Sequence, residues 1–209
     1  LCGKGNNGGD GLVVARLLHR RRARIHVVLL TPVTDLSRDA ATMYRRLVRV
    51  AGRASIVRFR SADQASSLLA SSDILVDALL GTGLSSLVTG AYREAIELIN
   101  NAGKPVIAVD IPSGLHADTG AILGSAIRAT LTIACGLPKL GLYVGAGIDQ
   151  TGVIRVVDIG IPPAYMDAIE SRTLLLTSDS AFQSLPERLP SSHKGTFGHA
   201  GIIAGSVGK

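Results

Sequence analysis

Leu1-Cys2-Gly3-Lys4-Gly5-Asn6-Asn7-Gly8-Gly9-Asp10-Gly11 opens the chain and leads at once into an apolar-periodic segment running from Leu12 to about Arg22. Glycine this dense does not build a core. Placed where a strand hands over to a helix, such a loop lets the backbone approach a ligand and points the free N–H groups of the helix at it. The reading needs a strand before the loop, and Leu1 arrives without one, so the first strand is expected to be missing.

Residues 25–30 form a continuous apolar run ended by Thr31-Pro32, the pattern of a strand buried on both faces. Similar runs predict strands over 54–59, 74–80, 106–110, 130–135 and 153–159, and helical spacing predicts helices over 35–50, 62–70 and 92–102. This alternation predicts an α/β fold: a Rossmann-like, doubly wound, mainly parallel sheet with helices on both faces, since parallel strands need helical crossovers. Its ligand site belongs at the carboxyl ends of the strands. Residues 1–160 are read as this domain and 161–192 as a linker of prolines and serines with one short amphipathic piece around 181–185. Residues 193–209 read as the first strand of a second domain.

With 46% hydrophobic and 18% charged residues, the chain is no disordered tail. It holds neither an apolar run of membrane-spanning length nor a charged segment leading into one, so a cytoplasmic protein with no membrane partner is expected. The net charge of +6 is mostly arginine, clustered at His19-Arg20-Arg21-Arg22-Ala23-Arg24, where the end of a helix favours cations. With 3% aromatic residues and no tryptophan, platforms for base stacking are scarce, and no nucleic-acid partner is expected. Cys2 and Cys135 form no CxxC pair and are read as reduced.

Gly3, Gly5 and Gly8 satisfy the G-x-G-x-x-G spacing of dinucleotide loops. A redox cofactor would also ask for an acidic residue at the end of the second strand, where Leu30-Thr31-Pro32 stands instead. Asp10 would repel a phosphate, so it faces a ribose hydroxyl, a cation or a reacting group, or else merely caps the helix. Asp77 and Asp110 each end an apolar strand. Three carboxylates at one sheet edge call for a raised pKa or a shared cation among oxygen ligands, unless each is an isolated turn cap. No His/Cys cluster accompanies them, which points to a hard cation rather than zinc. Gly81-Thr82-Gly83 and Ser113-Gly114 are small-residue turns suited to phosphate or ribose. Lys139 is a lone loop cation, read as a phosphate ligand or as simply solvated.

The strings GKGNNGGDG at 3–11, VDALLGTGL at 76–84 and VDIPSGL at 109–115 closely resemble the NAD(P)H-hydrate epimerase family, the YjeF N-terminal domain, over residues 1–160. SHKGTFGHAGIIAGS at 192–206 resembles the opening of the ADP-dependent NAD(P)H-hydrate dehydratase domain, whose fold is ribokinase-like. Together they resemble a fragment of a fused bifunctional repair protein. The resemblance implies an isomerase that interconverts the R and S epimers at carbon 6 of NADHX and NADPHX. Asn6, Asn7, Gly8, Gly9 and Asp10 would contact the hydrated nucleotide; Gly81, Thr82, Gly83, Leu84, Ser85, Ser86 and Leu87 would wrap it; Asp110 would touch it directly. Asn7, Asp77 and Ser113 would hold one potassium ion. Asp110, the carboxylate not assigned to the ion, is the expected general acid/base, with Asp10 in reserve. ADP or ATP would serve only the dehydratase, a lyase that the full-length protein is expected to carry. The expected partners are the small-molecule substrate and a second copy of the chain. The alternative is a non-catalytic nucleotide-binding or scaffold module.

Overall fold

The computed structural model describes every residue except 53–54, 203 and 206–209. Contrary to the expectation of a missing strand, Leu1–Gly3 is itself strand-like. The Cys2 N–H donates to the Val28 carbonyl at 2.8 Å, and Cys2 O accepts from Leu30 N at 3.0 Å; on the other side Gly3 N donates to Ala78 O at 2.9 Å and Ala78 N to Leu1 O at 3.0 Å. Three residues suffice because they pair on both sides at once.

This segment joins two half-sheets. On one side lie β1 (Val27–Leu29) and β2 (Ile56–Arg58); on the other lie β3 (Leu75–Asp77), β4 (Val106–Val109), β5 (Leu131–Cys135) and β6 (Val153–Val157). Every pairing is parallel, and Cys2 bridges Leu29 and Ala78 in the same sense. The spatial order is β2, β1, the leading segment, β3, β4, β5, β6. The chain winds outward from the leading segment first to one edge and then, starting again at β3, to the other. The carboxyl end of the leading segment is therefore the switch point where such sheets bind ligands.

The helices cover both faces, as the continuous apolar runs require. Val27 and Leu29 pack with Leu12, Ala15 and Leu47, beneath α1 (Asn6–Arg20) and α2 (Arg38–Ala51). Val28 and Leu30 point the other way and join Leu69, Ile96 and Ile99 of α3 (Ala62–Ala70) and α4 (Gly90–Asn101). Two short helices follow, α5 (Gly147–Gln150) and α6 (Pro163–Asp167). Among the described residues no helix is long and apolar enough to cross a membrane.

α1 begins at Asn6, not near Leu12, so most of the glycine-rich stretch is helix rather than loop. The glycines are there for close approach. A Cβ on Gly8 would sit 2.0 Å from the Gly3 carbonyl oxygen, and one on Gly11 would sit 2.5 Å from Ala78 Cβ and 2.8 Å from Cys2 Sγ. Only bare backbone lets the first turns of α1 lie against the leading segment and β3.

Leu1–Ile169 is one compact unit and Glu170–Lys209 another. The second contains α7 (Ser178–Ser184), opened by a capping box between Thr177 and Ser180, and exposes Leu174, Leu176 and Phe182. No strand forms among its described residues. The strand expected within 193–209 falls partly on 203 and 206–209, outside the described residues.

Candidate active site

At the carboxyl edge of the sheet a cavity of about 520 Å³ opens between the start of α1 and the turn after β3. Asn6, Asn7 and Asp10 contribute from successive turns of α1, because the helix already runs at these positions; Asp110 contributes from the end of β4. The turn from Gly81 to Ser86 supplies the facing wall, with Tyr92 beside it. Gly8 and Gly9 are buried and do not line the cavity, while Leu87 stands outside it, 68% exposed. Sequence reasoning passed over Tyr92 as a site residue because its spacing places it on the apolar stripe of α4. A larger, mainly aliphatic cavity, about 770 Å³, lies toward the amino ends of the strands; none of the predicted site residues lines it.

Beneath the mouth lies a buried nest of oxygens. Asp77 is wholly buried at the end of β3 and accepts three hydrogen bonds: from Ser113 Oγ at 2.6 Å, from Ser113 N at 2.8 Å and from Leu79 N at 3.1 Å. Ser113 Oγ in turn accepts from Leu80 N at 2.8 Å, and Asn7 Nδ2 donates to Leu80 O at 2.8 Å. Burial pushes the Asp77 carboxyl above its ordinary range, against the pull of the Ser113 and Leu79 hydrogen bonds. Asn7 Oδ1, also buried, has no hydrogen-bond partner. Asn7, Asp77 and Ser113 thus meet at one place, although they come from α1, β3 and the turn after β4. Among the described residues no group of three His, Cys, Asp or Glu gathers into a metal cluster.

Asp110 is built differently. It is one of two non-glycine residues with positive φ among those described, at 70°, a region that Asp tolerates better than most residues. Its Oδ1 accepts from Cys135 N at 3.0 Å and from the ammonium of Lys139, which also donates to the Cys135 carbonyl at 2.8 Å. Lys139 is thus neither a solvated loop lysine nor a cavity-wall phosphate ligand. Asp10 lies near enough for the two carboxylates to feel each other: partial burial first, and then the charge of Asp110, raise the Asp10 carboxyl. The same two influences, burial before Asp110, push the half-buried Cys135 thiol up, with Lys139 acting against them. Cys2 and Cys135 are both free thiols.

The site can therefore offer an oxygen-lined pocket, a carboxylate held by a lysine, and a second carboxyl raised above its ordinary range. Comparison with known proteins bears on what such a site does. The family model described as "YjeF-related protein N-terminus" matches residues 1–141. The chain is 43% identical over 206 residues to the bifunctional NAD(P)H-hydrate repair enzyme Nnr of Thermofilum pendens, covering 99% of this chain and 38% of that protein. It is 37% identical over 212 residues to the enzyme of the same name from Escherichia coli, covering 39% of it. The NAD(P)H-hydrate epimerase of Oenococcus oeni is 38% identical over 161 residues, 77% of this chain and 73% of that one. The chain thus spans about two fifths of the bifunctional relatives and most of the single-function one. The crystal structure of a yeast protein, ynu0, superposes with a TM-score of 0.66 at 22% identity, covering 82% of this chain and 72% of that one, and shares the fold.

Proposed function

This chain belongs to the family of YjeF-related protein N-termini, and from that premise we propose that its site epimerises NAD(P)H hydrate at carbon 6 of the nicotinamide ring. The observation that carries the reading is the pairing of Asp10 and Asp110 on one cavity. The stereocentre bears a hydroxyl beside the ring nitrogen. Its configuration is lost when that hydroxyl leaves with a proton, or when the ring opens, and is reset on return. Both routes need a group that gives a proton and takes it back. Asp110 is the general acid/base in this reading, with Asp10 in reserve. Asn6, Asn7, Asp10 and the turn from Gly81 to Ser86 bind the nucleotide, and the helix N-terminus at Asn6 favours its negative charge.

The buried nest fits a potassium ion. Its donors are hard oxygens, Asp77 brings a negative charge that no side-chain cation of the chain contacts among the described residues, and the orphaned Asn7 Oδ1 needs a partner. Asn7, Asp77 and Ser113 would hold the ion, which supplies fixed positive charge at the cavity floor. In this reading residues 193–209 begin a dehydratase domain, and ADP or ATP serves that domain alone.

The test is direct. The protein is mixed with one epimer of NADPH hydrate, and the ratio of epimers is followed by chromatography. Interconversion faster than in protein-free buffer is expected. An unchanged ratio with demonstrable nucleotide binding would favour the non-catalytic module instead.

A further inference from the structure

Lys139 is not part of the cavity wall, yet its ammonium is committed twice, to Asp110 Oδ1 and to the Cys135 carbonyl. The N–H of Cys135 donates to the same Asp110 oxygen. Asp110, Lys139 and Cys135 thus close a ring across the ends of β4 and β5. The Lys139 and Asp110 side chains are only 17% and 19% exposed, so this is not one of the solvated pairs whose geometry is loose. Both donors converge on Oδ1. Asp110 lines the cavity, and its Oδ2 has no hydrogen-bond partner among the described residues, so Oδ2 is the oxygen left to meet a substrate.

The backbone under this carboxylate also needs holding. Asp110 sits at φ 70°, with its N–H still donating to Ile133 O at 2.8 Å. Strand pairing on one side and a left-handed turn on the other leave the side chain little freedom once Lys139 takes one oxygen. A carboxylate that must give and take a proton at one ring carbon gains from such fixing, because a displacement of about 1 Å can cost on the order of 10²-fold in rate.

We infer that Lys139 is a positioning residue: it holds the Asp110 anion and selects the oxygen that faces the ring, acting through Asp110 rather than on the nucleotide. This rests on Asp110 being the proton-carrying carboxylate of the proposed epimerisation. A lysine held by a carboxylate and a carbonyl, behind the cavity wall, is poorly placed to bind substrate phosphate. Asp10 and the Cys135 thiol are the other titratable groups near this carboxylate, and neither supplies a positive charge.

Kinetics on the epimer ratio test this. Lys139→Met lowers kcat about 10- to 100-fold while KM stays within about twofold for both NADH hydrate and NADPH hydrate. Lys139→Arg recovers part of that loss. The double variant Asp110→Asn with Lys139→Met is no slower than Asp110→Asn alone, since the lysine has nothing left to position. Should Lys139→Met fail to fold, Lys139→Gln keeps a donor of similar reach, and a lowered kcat at unchanged KM is expected of it too. A raised KM with kcat preserved, fully additive losses in the double variant, or wild-type kcat in Lys139→Met or Lys139→Gln overturns the inference. If the wild-type protein does not interconvert the epimers at all, the reading of the activity fails and the role of Lys139 falls with it, whereas interconversion that is insensitive to Lys139 overturns this inference alone.

Discussion

Asp77 and Asp110 end neighbouring parallel strands, each after a valine, and the fold treats them in opposite ways. Asp77 is sealed from solvent and satisfied by a hydroxyl and two backbone N–H groups, with no side-chain cation in contact among the described residues. Asp110 stands at the rim, turned out of the strand by its positive φ, and carries its own lysine. A buried anion without a partner is expensive, and in the proposed reading a cation from solution balances the Asp77 charge. A rim carboxylate with a built-in cation is instead held in place and turned toward whatever fills the cavity. In the proposed reading two aspartates at the ends of adjacent strands, two residues out of register, thus divide into a floor that binds and a wall that reacts.

Breaking the second half of this contrast has the largest expected effect. Asp110→Asn lowers epimerisation by about 10²-fold or more while thermal unfolding changes little. Near-normal turnover would hand the role to Asp10. Ser113→Ala attacks the first half, since it removes a donor to Asp77 and strands the Leu80 N–H; a loss of about 1–3 kcal/mol in stability is expected by denaturant unfolding. Replacing potassium with tetramethylammonium at fixed ionic strength lowers the unfolding midpoint, by the equivalent of about 1.4 kcal/mol if potassium had been at ten times its Kd. Asn7→Ala abolishes that difference, and a difference that survives in the variant would move the ion elsewhere.

Asp10 supplies the smallest effect and the intermediate case. Its carboxyl is raised in the folded protein, so the native state keeps a proton that the unfolded chain has already lost as pH climbs above the usual carboxylate range. Stability falls through that window and stays lower above it. Asp10→Asn therefore raises Tm at pH 7 by about 1–2 °C, and the gain disappears once pH drops below the ordinary aspartate range, where both states are protonated.

Most of the fold was legible because both faces of the sheet are covered: a strand buried on two sides must be apolar along most of its length, as residues 27–30 and 74–76 are. The start of α1 was not, because the glycines from Gly8 to Gly11 read as a loop by composition, and only the contacts with Gly3 and Ala78 reveal that they serve packing. The leading segment escaped notice because it is too short to show a pattern, and its identity as a strand lies in its neighbours. At the site, the carboxylates were visible from their place at strand ends. Lys139 was not, since its bond to Asp110 spans 29 residues and is made by how β4 lies beside β5.

The pairing of Leu1–Gly3 also bears on how the molecule comes together. Its contacts with β3 join residues 75 apart in sequence, and they are what merges the two half-sheets. Closing so long a loop is entropically slow, and nothing local can substitute for it. β1 can pair with β2, and β3 with β4, before the leading segment is seated; the cavity floor, which needs Asn7 beside Leu80, can form only afterwards. The binding site is thereby tied to the completed sheet: a chain whose two halves are not joined lacks the cavity floor.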